Sequence, residues 1–368
     1  MKVALSLSGG GVRAAAFHCG VLKRLAMDGL LEATTFVSTV SGGSLLVGLI
    51  YCHNEHQWPD GRKFALSVLP KVREKLTNAT LQWSYTWRSF SKPWRLTQGR
   101  AHVLADQMVR QWGITGSLQD IVEVPRWIVN TTCYETGKNW RFSQPRMGDY
   151  ITKYVLKPVT PIADAIAASA AVPGLIGPYT IHSNEYKWFQ ITGQRKIPTT
   201  TPLQRYRLWD GGVYDNLGLE ALFKPNGGYR DGFDLLIVSD ASARFSLDTP
   251  SLISRLKPGR RTLRLIDVAT EQIRGLRARS LVEGFERGDC AGAYLRIGNT
   301  VRKIFSDVDL CSPDTTCLSE AAVTTVANFK TTLRRLSADE FDLIVQHGFE
   351  VANATLATRV PKRFRYEE

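Results

Sequence analysis

The residues with chemistry to offer are a serine and a carboxylate, each set in a glycine-rich turn. Ser41 lies in Thr39-Val40-Ser41-Gly42-Gly43, where small residues after the serine suit a sharp turn that lifts its Oγ off a strand end. A serine hydroxyl is a weak nucleophile alone and needs a base within hydrogen-bond reach and donors aimed at the developing oxyanion. Gly9-Gly10-Gly11-Val12-Arg13 supplies the donors, because the first N–H groups of the helix that follows lack intrahelical acceptors and carry the positive end of its dipole. The base is Asp210 in Leu208-Trp209-Asp210-Gly211-Gly212, a carboxylate at a strand end. Partial desolvation by Trp209 and its neighbours would raise its pKa toward the range of a general base. None of the six histidines adjoins a comparable turn, so the apparatus is read as a two-residue one.

The elements that must position these groups are legible around them. Lys2 to Ser8 reads as a buried strand and Val12 to Leu30 as a helix, with Ala15, Cys19, Leu22, Leu25 and Ala26 at helical spacing. Thr35 to Val40 reads as a second strand and Ser44 to Tyr51 as the start of a second helix. This βαβα opening implies a parallel sheet with helices on its faces. Further strands are expected at 126–134, 139–143, 206–209, 235–239 and 293–297. The segment from about 68 to 122 reads as a helical insertion, and the chain from Leu247 onward as basic and helical.

Composition is that of a globular protein, 43% hydrophobic and 22% charged over 368 residues. The apolar run at the N-terminus is too short for a signal peptide's central region, and Leu45 to Tyr51 falls far below the ~20 residues that span a bilayer. The expectation is a cytoplasmic protein that meets lipid peripherally. Six scattered cysteines are expected to be reduced, Cys311 and Cys317 being the one pair close enough to clip. His53 and His56 lack a third ligand, and no catalytic metal and no cofactor are expected. The net charge of +13 favours an anionic partner.

Taken together, these blocks resemble the patatin-like phospholipases, lipid acyl hydrolases with a Ser–Asp dyad. Gly9-Gly10-Gly11-Val12-Arg13 is similar to the family's oxyanion-hole motif, Val40-Ser41-Gly42-Gly43-Ser44 to its nucleophile elbow and Asp210-Gly211-Gly212 to its base motif. Ala168-Ser169-Ala170-Ala171-Val172-Pro173 is similar to the small-residue helix that ends in proline ahead of the base. The resemblance implies a three-layer α/β/α sandwich with a mainly parallel central sheet. Ser41 would be the nucleophile, Asp210 the base, and Gly9, Gly10, Gly11 and Arg13 the oxyanion-hole residues, Arg13 orienting that loop or meeting a phosphate head group. Residues 1–245 would form the catalytic core and 246–368 a basic, mostly helical extension packed on it. The elbow departs from the family's usual G-x-S-x-G in carrying Thr39 at its first position, where β-branching restricts the turn.

Competing readings are weaker. Gly9-x-Gly11-x-x-Ala14 fits a dinucleotide fingerprint, but the next strand ends in Ser41 rather than an acid, and no Gly-Lys-Ser/Thr follows to make a P-loop. A Ser-His-Asp α/β-hydrolase using His347 would place its elbow after several strands, not at residue 41. His18 is read as structural. A non-enzymatic alternative is a lipid- or nucleotide-binding receptor on a degenerate hydrolase scaffold.

Two surfaces suggest partners. Trp83, Tyr85, Trp87, Phe90 and Trp94 alternate with Arg88, Lys92 and Arg95, a mixture suited to a phospholipid membrane surface. Lys257, Arg260, Arg261, Arg264, Arg274 and Arg277 form a second basic stretch. Some bacterial members of the family are antiphage effectors switched on by a cyclic dinucleotide, and this stretch would receive such an activator. A homo-oligomer is compatible with this reading; a nucleic acid polymer is not expected.

Overall fold

The computed structural model describes residues 1–81, 99–225, 227–243, 245, 260–313 and 317–367. The aromatic and basic stretch from Trp83 to Arg95 and Lys257 lie outside the described residues.

The fold begins where the sequence is most apolar. β1 (Val3–Leu7) is buried along its whole length. It leads through the triple glycine into α1 (Gly11–Met27), then β2 (Thr34–Thr39) and α2 (Gly42–Cys52). Two helices, α3 (Leu69–Asn78) and α4 (Arg100–Trp112), occupy the described part of the expected helical insertion. Strand β3 (Arg126–Cys133) turns through the predicted hairpin into β4 (Asn139–Ser143), followed by β5 (Arg146–Asp149) and β6 (Lys153–Leu156). After α5 (Ile162–Ser169) come β7 (Tyr179–His182), β8 (Trp188–Thr192), β9 (Arg195–Thr199) and β10 (Arg205–Asp210). The chain ends with β11 (Leu235–Asp240), α6 (Arg260–Glu286), β12 (Ala291–Arg296) and α7 (Ala338–Arg359).

The protein is a three-layer α/β/α sandwich around a 12-stranded sheet whose main path runs β12-β11-β1-β2-β3-β4-β5-β6-β8-β9. Strands β12 to β3 are parallel, and those beyond β3 form an antiparallel wing. Strands β5 to β9 were not anticipated. They are short and, in β8 and β9, substantially exposed, so neither a long apolar run nor a clean alternation marks them.

One face of the sheet carries α1, α2, α5 and α7, packed into the larger apolar core. Helices α1 and α7 approach closely because each presents a glycine: a Cβ on Gly20 would stand 1.9 Å from the Val345 carbonyl oxygen, and one on Gly348 2.1 Å from that of Phe17. Ser337 starts α7 with a capping box to Glu340. The opposite face packs Leu217, Leu219 and Leu222 with Leu281 of α6 over Ala4 and Val238.

The expected division at residue 245 does not divide the core. The segment after it supplies β12, an edge strand parallel to β11, and α7, whose Ile344, Val351 and Leu356 belong to the same apolar cluster as Leu5 and Leu22. The extension completes the sandwich rather than resting on a finished one.

Candidate active site

Sheet register brings the three candidate blocks together. Leu7 of β1 is aligned with Thr39 of β2 and Ser239 of β11, so the loops leaving these strands emerge side by side at one edge. Strand β2 pairs with β3 from Arg126 to Val129, and β10 pairs antiparallel with β3 from Thr131 to Cys133. Since β4 takes the other side of β3 at Thr131 and Thr132, β10 runs in along the edge that β2 has vacated, toward the end of β2. Ser41, two residues past β2, therefore faces Asp210, the last residue of β10.

Ser41 holds the backbone angles φ 47° and ψ −109°, a conformation that non-glycine residues rarely adopt and that marks a strained elbow. The surroundings hold it there. Its N–H donates to the Ser169 Oγ at 2.9 Å, and its carbonyl accepts from Leu45 N–H at 2.9 Å. Gly42 and Gly43 must be glycines, because a Cβ on either would lie 2.3 Å and 2.4 Å from the carbonyl oxygens of Gly11 and Leu7. Thr39 is accommodated as the last extended residue of β2. Its Oγ1 pairs with the Ser44 Oγ at 2.8 Å and accepts the Trp127 indole N–H at 2.9 Å, so the departure from the usual elbow adds a brace.

Asp210 is buried, 6% exposed, and accepts a hydrogen bond from the Gly212 N–H at 2.7 Å, with the Ser41 side chain near enough to favour its charged form. Burial pushes its carboxyl from 3.8 up to about 6 and outweighs the Gly212 N–H and the neighbouring Ser41 hydroxyl, which both pull it down. Its carbonyl oxygen accepts from the Thr132 Oγ1 at 2.9 Å.

The glycine loop divides its donors. The Gly9 N–H is committed to the Asn216 carbonyl at 3.1 Å and is not free for an oxyanion. Among the described residues the N–H groups of Gly10 and Gly11 have no acceptor, and Gly10 borders the same cavity as Ser41 and Asp210. Arg13 is buried and turned away from that cavity. Its guanidinium donates to the carbonyl oxygens of Phe329 at 2.5 Å and Ala241 at 2.8 Å, clamping the loop from behind. Arg13 thus does not face the cavity as a head-group or oxyanion contact would require, and its contacts are those the alternative, orienting the loop, calls for.

The histidines do other work. His18 Nε2 lies 3.0 Å from the Ser8 carbonyl, fixing it as the donor, so Nδ1 accepts from the Ser239 hydroxyl at 2.8 Å. Burial pushes its pKa down to about 4. The Nε2 of His347 accepts from the Gly298 N–H at 2.9 Å, and its ring packs on Phe17. His53 and His56 each turn Nε2 toward a backbone carbonyl, of Trp112 and Thr115.

Some functional groups escaped the sequence reading. Ser169 links the elbow to the base loop, donating to the Asn130 carbonyl at 2.8 Å while its own carbonyl accepts from Gly211 N–H at 3.3 Å. Its place in the proline-ended block pointed there, but its partners lie far away in sequence. Helix α6 also walls the cavity, of about 360 Å³, through Arg264, Ile266 and Glu271. Arg274 on that helix is tied to Asp240 at 2.7 Å and to Glu271, and Arg277 to Glu220 at 2.8 Å. Arg264 stacks over Phe245 at 3.9 Å.

Comparison with known proteins gives the same family. The chain is 26% identical over 224 residues to a patatin-like phospholipase domain-containing protein of Aspergillus oryzae, covering 60% of this chain and 27% of that protein. A second such protein, from Aspergillus niger, is 24% identical, covering 60% of this chain and 26% of the relative. The chain thus spans about a quarter of the length of these relatives. Among solved structures, human GIVD cytosolic phospholipase A2 in complex with methyl gamma-linolenyl fluorophosphonate shares the fold at a TM-score of 0.52 and 14% identity, over 98% of this chain and 58% of that one. The profile of the family described as Patatin-like phospholipase matches residues 5–223, well over half of the chain, and the protein belongs to that family.

Proposed function

We propose that this protein is a serine lipid acyl hydrolase that cleaves phospholipid acyl esters through a Ser41–Asp210 dyad. The observation that carries the reading is that Ser41, Gly10 and a buried Asp210 carboxyl whose pKa is pushed to about 6, the poise of a general base at neutral pH, line one cavity. Ser41 Oγ attacks the ester carbonyl carbon as its proton passes to Asp210, and the N–H groups of Gly10 and Gly11 receive the oxyanion. Collapse breaks the bond to the alcohol oxygen, which takes the proton back from Asp210. Asp210 then deprotonates a water that attacks the acyl-enzyme, releasing the fatty acid and restoring Ser41. Family membership and the shared fold support the substrate class.

The net charge of +13 favours contact with anionic lipid at a membrane surface, and no helix among the described residues is long and apolar enough to cross a membrane. Activation by a cyclic dinucleotide at the basic stretch has less support. Of its described arginines, Arg274 and Arg277 are already paired with carboxylates.

A fluorophosphonate probe tests the proposal. Ser41 should be labelled in the wild type and labelling lost in Ser41→Ala, with parallel loss of fatty acid release from phospholipid vesicles. Absence of labelling in a folded protein would favour the degenerate receptor instead.

A further inference from the structure

A second cavity, of about 330 Å³, opens on the face of the sheet opposite α1 and α2, away from Ser41. Strand alternation builds it: Trp127, Trp140 and Phe142 turn into the large core, while Arg126, Ile128 and Arg141 turn to the other face. Asn130, Arg141, Gly148 and Tyr154 form one cross-strand row over β3 to β6. Gly148, at φ 127°, lines the cavity between Arg141 and Tyr154, and its backbone packs so close to β6 that a Cβ would stand 2.1 Å from the Lys153 carbonyl oxygen.

Positive charge dominates the walls. The side chains of Arg126, Arg141, Arg146 and Arg230 converge there with Lys138 and Lys224, against two carboxylates. Both carboxylates are engaged elsewhere. Asp149 accepts from the N–H groups of Ile151 at 2.8 Å and Thr152 at 2.7 Å and from the Thr136 hydroxyl at 2.9 Å. Glu220 is paired with Arg277 at 2.8 Å and lies 3.7 Å from Lys224. Among the described residues none of the four arginines forms an ion pair: Arg141 donates to the Glu220 backbone carbonyl at 3.3 Å, and Arg146 stacks on Tyr154 at 4.8 Å. Burial and then the charges of Arg141, Arg146 and Arg126 push Arg230 below its ordinary value. Two of these guanidiniums, Arg141 and Arg230, are half-buried beside the exposed Arg126 and Arg146, and like charges held so close without ion pairs are a cost that folding alone does not explain.

We propose that this cavity binds the phosphate groups of a small molecule carrying two or more negative charges. Guanidiniums present planar donor forks that match phosphate oxygens, and their mutual repulsion, unfavourable in the free protein, becomes attraction toward a shared anion. The phenols of Tyr150, Tyr154 and Tyr214 at the walls add donors and ring faces for the rest of the ligand. The cavity also adjoins the base loop. Tyr214 follows Asp210-Gly211-Gly212, and its N–H donates to the Thr132 Oγ1 at 3.1 Å, the hydroxyl that holds the Asp210 carbonyl.

The test is calorimetric titration of the full chain with inorganic pyrophosphate, beside flotation with phosphatidylglycerol vesicles to separate a soluble phosphate from a lipid head group. The variants are Arg146→Gln, an exposed position, and Arg146→Gln/Arg230→Gln. Pyrophosphate affinity should fall about tenfold in the single variant and further in the double one, and weaken as salt rises. The melting temperature of the ligand-free double variant should equal or exceed that of the wild type, since repulsion is relieved. Vesicle binding that depends on these arginines without pyrophosphate binding would overturn the small-molecule assignment in favour of a lipid head group. Should neither pyrophosphate nor vesicle binding differ between wild type and variants, or should pyrophosphate bind both alike, the proposal is overturned.

Discussion

The backbone N–H of Ser41 donates to the hydroxyl of Ser169 at 2.9 Å, across 128 positions of sequence. That bond, with the Ser169 hydroxyl passing on to Asn130 and its carbonyl holding Gly211, locks the elbow and the base loop to one another. The proposed dyad has no histidine to orient its partners, so its alignment falls to such backbone ties.

Ser169→Ala removes the acceptor of a buried N–H and should cost about 1–3 kcal/mol of stability. It should lower kcat well beyond any change in KM, because the strained elbow relaxes while the cavity walls stay. Steady-state kinetics on a soluble short-chain ester, with a thermal melt, check both; a variant with wild-type kcat would remove Ser169 from the positioning role.

The pH profile follows from Asp210. A base with pKa about 6 predicts that kcat/KM rises through that pH and levels above it. A profile that instead continued to rise well above pH 7 would point to another group.

The same shift has a stability consequence of known sign. The folded-state pKa lies above the ordinary 3.8, so the folded protein binds the extra proton between those values. This site's contribution to stability is full below about pH 4, declines as pH rises to about 6, and stays low beyond. Asp210→Asn should abolish hydrolysis yet melt a few degrees higher than the wild type at pH 8, and lose that advantage near pH 4. Matched melting curves at the two pH values decide it.

Arg13→Met should act on the loop from behind. Two buried carbonyls, of Phe329 and Ala241, lose charged donors, at a cost of about 3 kcal/mol. Chemical denaturation measures the loss. Salt dependence of vesicle binding should match the wild type, since the guanidinium does not face the cavity.

Arg274→Met leaves Asp240, which is 1% exposed, without its counter-charge. Breaking such a pair from one side costs about 3–5 kcal/mol, and adding Asp240→Asn should recover part of it. A double-mutant cycle on unfolding free energies reads the coupling.

The amino-acid sequence by itself determined the local parts. Glycines at 9–11 and 42–43 and the acid before Gly211 mark turns by residue type alone, and the apolar periodicity around them specifies β1, α1, β2 and α2. It therefore singled out Ser41 and Asp210 as the candidate nucleophile and base, and pointed to the family that comparison shows. What only tertiary structure decided is everything set by partners far along the chain. Antiparallel entry of β10 along the edge of β3 brings Asp210 to Ser41. The direction of Arg13, the commitment of the Gly9 N–H to Asn216, the return of the chain after residue 245 to complete the sheet and the convergence of four arginines on one face are likewise long-range outcomes. Side-chain type states what a group can do; only packing states what it faces, because one residue's register or rotamer turns the same guanidinium toward a carbonyl, a carboxylate or an open cavity.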